Sequence, residues 1–149
     1  MFESFTYEVN VHWQNGRIGK MSSPELEHSF SCATPPEFPE GVPGIWSPEH
    51  LFTAAVNSCF MTTFLAVSEN YKLKYENFSC KAFGRLSREK GKWMMSEILL
   101  KPELIICPEE SAEKGLKVLE KSEKACLITN SIHTMVIMEA TILVSEICI

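Results

Sequence analysis

An excess of basic charge is missing from this chain. Its 149 residues hold 14 lysines and arginines against 19 acidic residues, a net charge of −5 with four neutral histidines. A nucleic-acid partner needs a basic face, so that class is set aside. No basic N-terminal stretch leads into an apolar run, so no secretory leader is expected. Six cysteines (Cys32, Cys59, Cys80, Cys107, Cys126, Cys148) occur without a CxxC pair. That spacing suits neither a disulfide framework nor a zinc site, and free thiols in a cytoplasmic protein are expected. His12, His28, His50 and His133 have no ligand spacing either, so no metal is expected. Internal repeats, low-complexity tracts and linkers are absent, which leaves a single domain over 1–149. Hydrophobic content of 45% and charge content of 22% are those of a folded globular chain.

What is present is a long uncharged run. Ser47 can cap a helix with its hydroxyl, Pro48 suits the first helical position, and Glu49 meets the positive end of the helix dipole. From Leu51 to Ser68 no residue is charged. Apolar side chains cover nearly the whole circumference, predicting a central helix buried on most sides. Its length would permit a membrane span, but Thr53, Asn57, Ser58, Thr62, Thr63 and Ser68 make a buried helix of a soluble protein the better expectation. Asn70 is the expected left-handed cap. Cys59 lies in the middle of this helix.

Around it the pattern is mostly of strands. Phe5, Tyr7, Val9, Val11 and Trp13 alternate with polar residues, predicting a strand over 2–13. Asn15-Gly16 is a two-residue hairpin signal, with Arg17 the first residue after the turn. A short return over 18–21 and a strand over 28–32 follow. Residues 35–46 hold four prolines and two glycines, which excludes regular structure. Alternation predicts strands over 75–88 and 93–106 around the turn Glu89-Lys90-Gly91-Lys92, the second interrupted at Pro102. A helix opens at Pro108 with acids in its first turn and ends near Ala125. Residues 126–133 suit a short helical turn, and 135–147 a last strand. The order βββ–α–ββ–α–β is an α+β domain with a strongly antiparallel sheet around the central helix.

Three segments resemble the OsmC/Ohr family, the osmotically inducible and organic hydroperoxide resistance proteins. Asn15-Gly16-Arg17 resembles the family's arginine-bearing turn. Ser47-Pro48-Glu49 and the alanine-rich run to Ser58-Cys59-Phe60 resemble its central segment. Ala125-Cys126-Leu127-Ile128-Thr129-Asn130-Ser131 resembles its second-cysteine segment. Two departures stand out: Leu127 occupies the place of the family's usual proline, and Glu123 and Lys124 stand where a histidine is common. Trp46 is also bulkier than the residue often found before the helix. The resemblance implies the OsmC-like fold, an antiparallel sheet wrapped around a buried helix in an intertwined dimer. It further implies a thiol peroxidase: Cys59 attacks the O–O bond of an organic hydroperoxide, and Cys126 then forms a disulfide with it. No bound cofactor is implied. An external dithiol restores the thiols, supplied in the organic-hydroperoxide branch by a lipoylated protein.

Physical chemistry adds conditions to that expectation. Only a thiolate is a good nucleophile, and burial disfavours it. Cys59 lies too deep in its helix for the dipole to help, so a local cation is called for. Arg17 is the candidate, with Glu49 as the carboxylate steadying its guanidinium; as a residue on its own, without the resemblance, Arg17 reads better as a solvated turn residue. Glu49 and Cys59 are about 15 Å apart along a straight helix. Two antiparallel copies crossing near Ala54-Ala55 would bring Glu49 of one chain beside Cys59 of the other, so a homodimer with composite sites is expected. Trp46, Phe52, Phe60 and Phe38 are candidates to line an apolar entrance for substrate, although large aromatics more often pack in cores. A non-enzymatic protein of the same fold, binding a hydrophobic small molecule in the dimer cleft, is the alternative. Neither reading calls for a nucleic acid or a membrane.

Overall fold

The structure is a computed structural model that describes residues 3–148. The chain divides into two compact units, one up to Leu51 and one from Phe52 onward. In the first, β1 (Asn10–Asn15), β2 (Ile18–Ser22) and β3 (Phe30–Ala33) form an antiparallel sheet in that order. The strand expected over 2–13 is regular only from Asn10, and its first residue, Phe2, lies outside the described ones. Asn15 pairs with Ile18, so the two-residue loop is Gly16-Arg17, one residue later than expected. Gly16 takes the positive φ, 50°. Arg17 is therefore part of the turn itself. Its fixed position follows from the register, because a one-residue slip would turn every strand side chain over.

The proline-rich segment folds back on itself. Phe38 N–H donates to Pro35 O, Gly41 N–H to Phe38 O, and Val42 N–H to Thr34 O. Ala33 N–H then reaches Trp46 O at 2.8 Å. Helix α1 (Pro48–Asn70) follows at once. Ser47 caps it as expected, accepting from His50 N–H at 3.2 Å, while the His50 ring nitrogen returns to the Ser47 N–H at 3.3 Å. This is a capping box with an imidazole in place of the usual carboxylate or amide. At the other end Leu73 N–H donates to Ser68 O and Lys72 N–H to Glu69 O. Lys72, with φ of 53°, is the left-handed residue. The cap is thus a Schellman motif two residues beyond Asn70.

The second unit is built on a long antiparallel hairpin, β4 (Tyr75–Glu89) with β5 (Lys92–Ile106). Lys90 and Gly91 both have positive φ, as a tight hairpin turn matching strand twist requires. Strand β5 runs through Pro102 without a break. Its alternate residues Ile98, Leu100, Pro102, Leu104 and Ile106 are all buried. The partner along its other edge is the part that breaks: β6 (Met135–Met138) and β7 (Thr141–Val144) both pair with β5, and both in parallel. Leu100 O accepts from Glu139 N–H. Pro102, two residues on and facing the same edge, has no N–H to continue the ladder. The single last strand expected over 135–147 is therefore two short strands, both parallel to β5.

Helix α2 (Ala112–Ala125) starts later than expected. Ser111 caps it by accepting Lys114 N–H at 3.1 Å. Glu110 instead ties the preceding turn to Lys74 N–H at 2.7 Å. The core joins Val56, Phe60 and Phe64 of α1 to Ile98, Leu100, Leu104 and Ile106 of β5 and to Val118 and Leu119 of α2. Phe64 stacks on Phe78 at 4.4 Å. Within α1, only the stripe Val56, Phe60, Phe64 and Ser68 is buried. Ala55, Ser58, Met61, Thr62, Leu65 and Ala66 are exposed, so burial on most sides is not achieved within one chain. The helix is long and apolar enough to cross a membrane by length and composition, yet its buried stripe faces this core.

The cysteine expectation also needs correction. Cys107, at the end of β5, is disulfide-bonded to Cys148. The 41-residue separation gives no sequence pattern, while Ser145 N–H donating to Ile106 O brings the chain end back beside β5.

Two outcomes follow from this packing. A Cβ at Gly84 would run into the Thr53 hydroxyl and Met95, so Gly84→Val should cost about 1–3 kcal/mol in urea denaturation. Reducing the Cys107–Cys148 bond, or Cys148→Ser, should lower stability by about 2–4 kcal/mol, read as a drop in melting temperature.

Candidate active site

Helix α1 sets the first sulfur. Its buried stripe fixes which face meets the sheet, and Asn57 Nδ2 donates to Cys80 O of β4 at 3.0 Å, fixing its rotation. Cys59 then falls at the margin of the buried stripe, half-buried. One turn on, the Thr63 hydroxyl lies 3.9 Å from its Sγ. The second sulfur sits at the end of α2, where Cys126 is the C-terminal cap with extended backbone. Cys126 is 1% exposed.

The chain after Cys126 turns tightly. Asn130 N–H donates to Cys126 O and Ser131 N–H to Ile128 O, both at 3.0 Å. Asn130 Nδ2 also reaches back to Lys124 O at 3.2 Å. The turn brings the N–H groups of Leu127 and Ile128 to the Cys59 sulfur, and the Cys126 thiol donates to the same sulfur. Burial pushes the Cys59 thiol up, but the Ile128 N–H, the Cys126 thiol, the Thr63 hydroxyl and the Leu127 N–H outweigh it. The net effect holds Cys59 below the ordinary cysteine value. Cys126 moves the other way: burial raises it, the Thr129 hydroxyl and N–H oppose that, and its bond to Cys59 and the charge there keep it protonated. One thiol is eased toward ionisation and the other is held back from it.

The remaining free thiols lack this character. Burial carries Cys80 up to about 11, against one lowering contact from the Lys101 N–H. Cys32 is raised by burial, with the Ala33 N–H opposing and the Glu49 charge adding to the rise.

The other expected residues are placed as follows. Arg17 ion-pairs with Glu40 at 2.7 Å, a carboxylate of the proline-rich segment that the sequence reading did not consider. Asn15, Gly16, Ile18 and Val42 line a shallow groove with them. Glu49 is half-buried in the first turn of α1. Trp46 is half-exposed, edge-on to Phe30 and His50, and Phe38 is half-buried in the folded-back segment. Phe52 packs against the core of the second unit, and Phe60 is fully buried in it, 5.8 Å from Phe78. Thr63 escaped notice although its spacing of four from Cys59 was readable. The donors from Leu127, Ile128 and Thr129 carry no side-chain signature.

The sequence profile of the OsmC-like protein family matches residues 41–140. This chain belongs to the OsmC-like family. An OsmC-like protein of unknown function from Vibrio cholerae has a structure similar to it, with a TM-score of 0.83 at 21% identity, over 92% of this chain and 99% of that one. An organic hydroperoxide resistance protein from Elizabethkingia anophelis, solved with thiocyanate bound, gives 0.76 at 20% identity over 97% and 100%. The uncharacterized protein YmaD of Bacillus subtilis is 23% identical over 133 residues, 85% of this chain and 86% of its own. At these identities the structural likeness establishes the OsmC-like fold, α+β.

In this OsmC-like chain the Thr63 hydroxyl meets the Cys59 sulfur from the same helix. Thr63→Val keeps shape and removes the hydroxyl, so alkylation of Cys59 by iodoacetamide at neutral pH should slow several-fold, with the helical circular dichroism unchanged.

Proposed function

We propose that this protein is a cysteine-based peroxidase that reduces organic hydroperoxides to alcohols. The observation that carries the reading is the pairing of a half-buried Cys59, whose thiol is held below the ordinary cysteine value, with a buried Cys126, whose thiol is held above it. The fold shared with a protein named for organic hydroperoxide resistance supports it further.

The chemistry runs in three steps. The Cys59 thiolate attacks the terminal oxygen of ROOH; the O–O bond breaks, and RO⁻ leaves and takes a proton as ROH. Cys59 is now a sulfenic acid. Cys126 attacks that sulfur, the S–O bond breaks, and water leaves with the Cys126 proton. An external dithiol then reduces the Cys59–Cys126 disulfide and is itself oxidised. No bound cofactor or metal enters. Arg17 and Glu49 are carried in this proposal as the candidate cation and its steadying carboxylate.

A homodimer fits the same reading. The exposed face of α1 from Ala55 to Ala66 carries no charge, and Met61 and Leu65 are 41% and 44% exposed. An uncharged apolar helix face of this kind is suited to a second copy. The proposed setting is cytoplasmic, as a defence against oxidative stress.

Trapping thiols after one equivalent of cumene hydroperoxide tests the reaction. Two thiols should disappear together, with mass spectrometry assigning a Cys59–Cys126 disulfide. Cys59→Ser should abolish peroxide consumption, and Cys126→Ser should leave a sulfenic acid that a dimedone probe captures. An unreactive Cys59 would instead favour the binding protein. The pH dependence has a definite sign. Because Cys59 lies below the usual thiol value, its oxidation rate should rise with pH and level off before an ordinary cysteine would ionise, near ~8.5. Arg17→Met should slow oxidation at every pH below that plateau.

A further inference from the structure

A second pair of sulfurs, Cys107 and Cys148, takes no part in the reaction above, and the fold holds its two halves unequally. We propose that this disulfide is an exchange site for dithiols, and that opening it releases the segment 145–148 from the end of β5 while the rest of the unit stays folded. The proposal stands apart from the peroxidase reading and needs neither Cys59 nor Cys126.

The Cys107 half is anchored. Cys107 is 3% exposed, its N–H donates to Lys74 O, and its carbonyl accepts from Glu110 N–H, both at 3.0 Å. Glu110 closes the knot by accepting from Lys74 N–H. The Cys148 half is held far less. Strand β7 keeps register with β5 as far as Val144 opposite Ile106, and Ile142 packs on the core beside Gly115. Beyond Val144, the backbone bond tying the described residues to β5 is Ser145 N–H to Ile106 O at 2.8 Å. The Ser145 hydroxyl reaches only Ile147 O, within its own turn. Val144 and Ile147 are 59% and 73% exposed, so apolar burial does little to hold this stretch. The covalent bond is its main tie. Cys148 itself is half-buried, which leaves its sulfur open to a small thiol where that of Cys107 is not.

Access decides which sulfur is attacked. The thiolate of a dithiol attacks Cys148; the Cys107–Cys148 bond breaks, and the Cys107 sulfur leaves and takes a proton. The second thiol of the reductant then attacks the mixed disulfide, which closes the reductant's own disulfide and releases Cys148 as a thiol. Two electrons and two protons pass from the dithiol to the protein. Exchange in reverse, with a small-molecule disulfide as oxidant, closes the bond again. In the cytoplasmic setting proposed above, protein disulfides are mostly transient and redox-sensing rather than permanent staples.

The test treats the full-length oxidised protein with dithiothreitol, without denaturant, and reads two signals. Iodoacetamide trapping with mass-spectrometric assignment should find Cys107 and Cys148 newly labelled. Amide hydrogen exchange at Ser145 should quicken roughly tenfold or more, while amides along β4 and β5 keep their protection, the mark of a local opening. Glutathione disulfide should then restore the slow Ser145 exchange. In Cys148→Ser that amide should exchange at the fast rate with or without dithiothreitol; should this variant not fold, the reversible change in the parent decides. Labelling of the pair only in urea would overturn the proposal. So would a Ser145 amide indifferent to reduction, or one that quickens only together with β4 and β5, since the bond would then be a staple of the whole unit. Peroxide enters neither readout, so a protein that consumes none can still open at Cys148, and a closed Cys148 leaves the peroxidase standing.

Discussion

The chemistry proposed for this protein depends on two sulfurs inside one apolar unit. Helix α1 supplies Cys59 and the end of α2 supplies Cys126, from elements whose other contacts are almost wholly hydrophobic. Burial alone would leave both as inert thiols. The asymmetry comes from donors: Cys59 collects two N–H groups, a hydroxyl and the other thiol, whereas Cys126 is itself spent as one of those donors. A pair of chemically identical side chains is thereby shifted in opposite directions. The same logic of environment separates paired carboxylates in enzyme active sites.

The packing that makes this possible is economical in elements. The stripe Val56, Phe60, Phe64 and Ser68 presses α1 onto the sheet, and Gly84 leaves room for Thr53 where the helix comes nearest to β4. Gly115 does the same for α2 against Leu104, Ile106 and Ile142. With both helices seated on the core that β5 supplies, the residue after α2 has little freedom. Cys126 is held by geometry on both sides, by Glu123 O through its own N–H and by Asn130 through its carbonyl.

Much of this was legible in the residues. Alternation over 75–106 gave the long hairpin because a half-buried strand must alternate, and Ser47-Pro48 marked the start of α1 because a helix end must satisfy its N–H groups. The failures have physical reasons too. An apolar circumference does not say whether the same chain or another molecule covers it, so the exposure of Met61 and Leu65 could not be foreseen. The disulfide joins residues far apart in sequence, and only the path of β7 brings them together. Arg17 was sought as the cation because side chains are what a sequence displays. The N–H groups of Leu127 and Ile128 that lower the Cys59 thiol are backbone, which every residue except proline carries alike.

The arrangement of the last two strands bears on how the chain survives its own synthesis. Strands β6 and β7 lie end to end along one edge of the 15-residue β5. Until they dock, that edge presents a row of unpaired N–H and C=O groups beside hydrophobic side chains, the kind of template onto which a neighbouring chain can add. The final segment is therefore a shield as well as a structural element. Because β6 and β7 follow β5 along the chain, the hairpin is made before the strands that cover its edge.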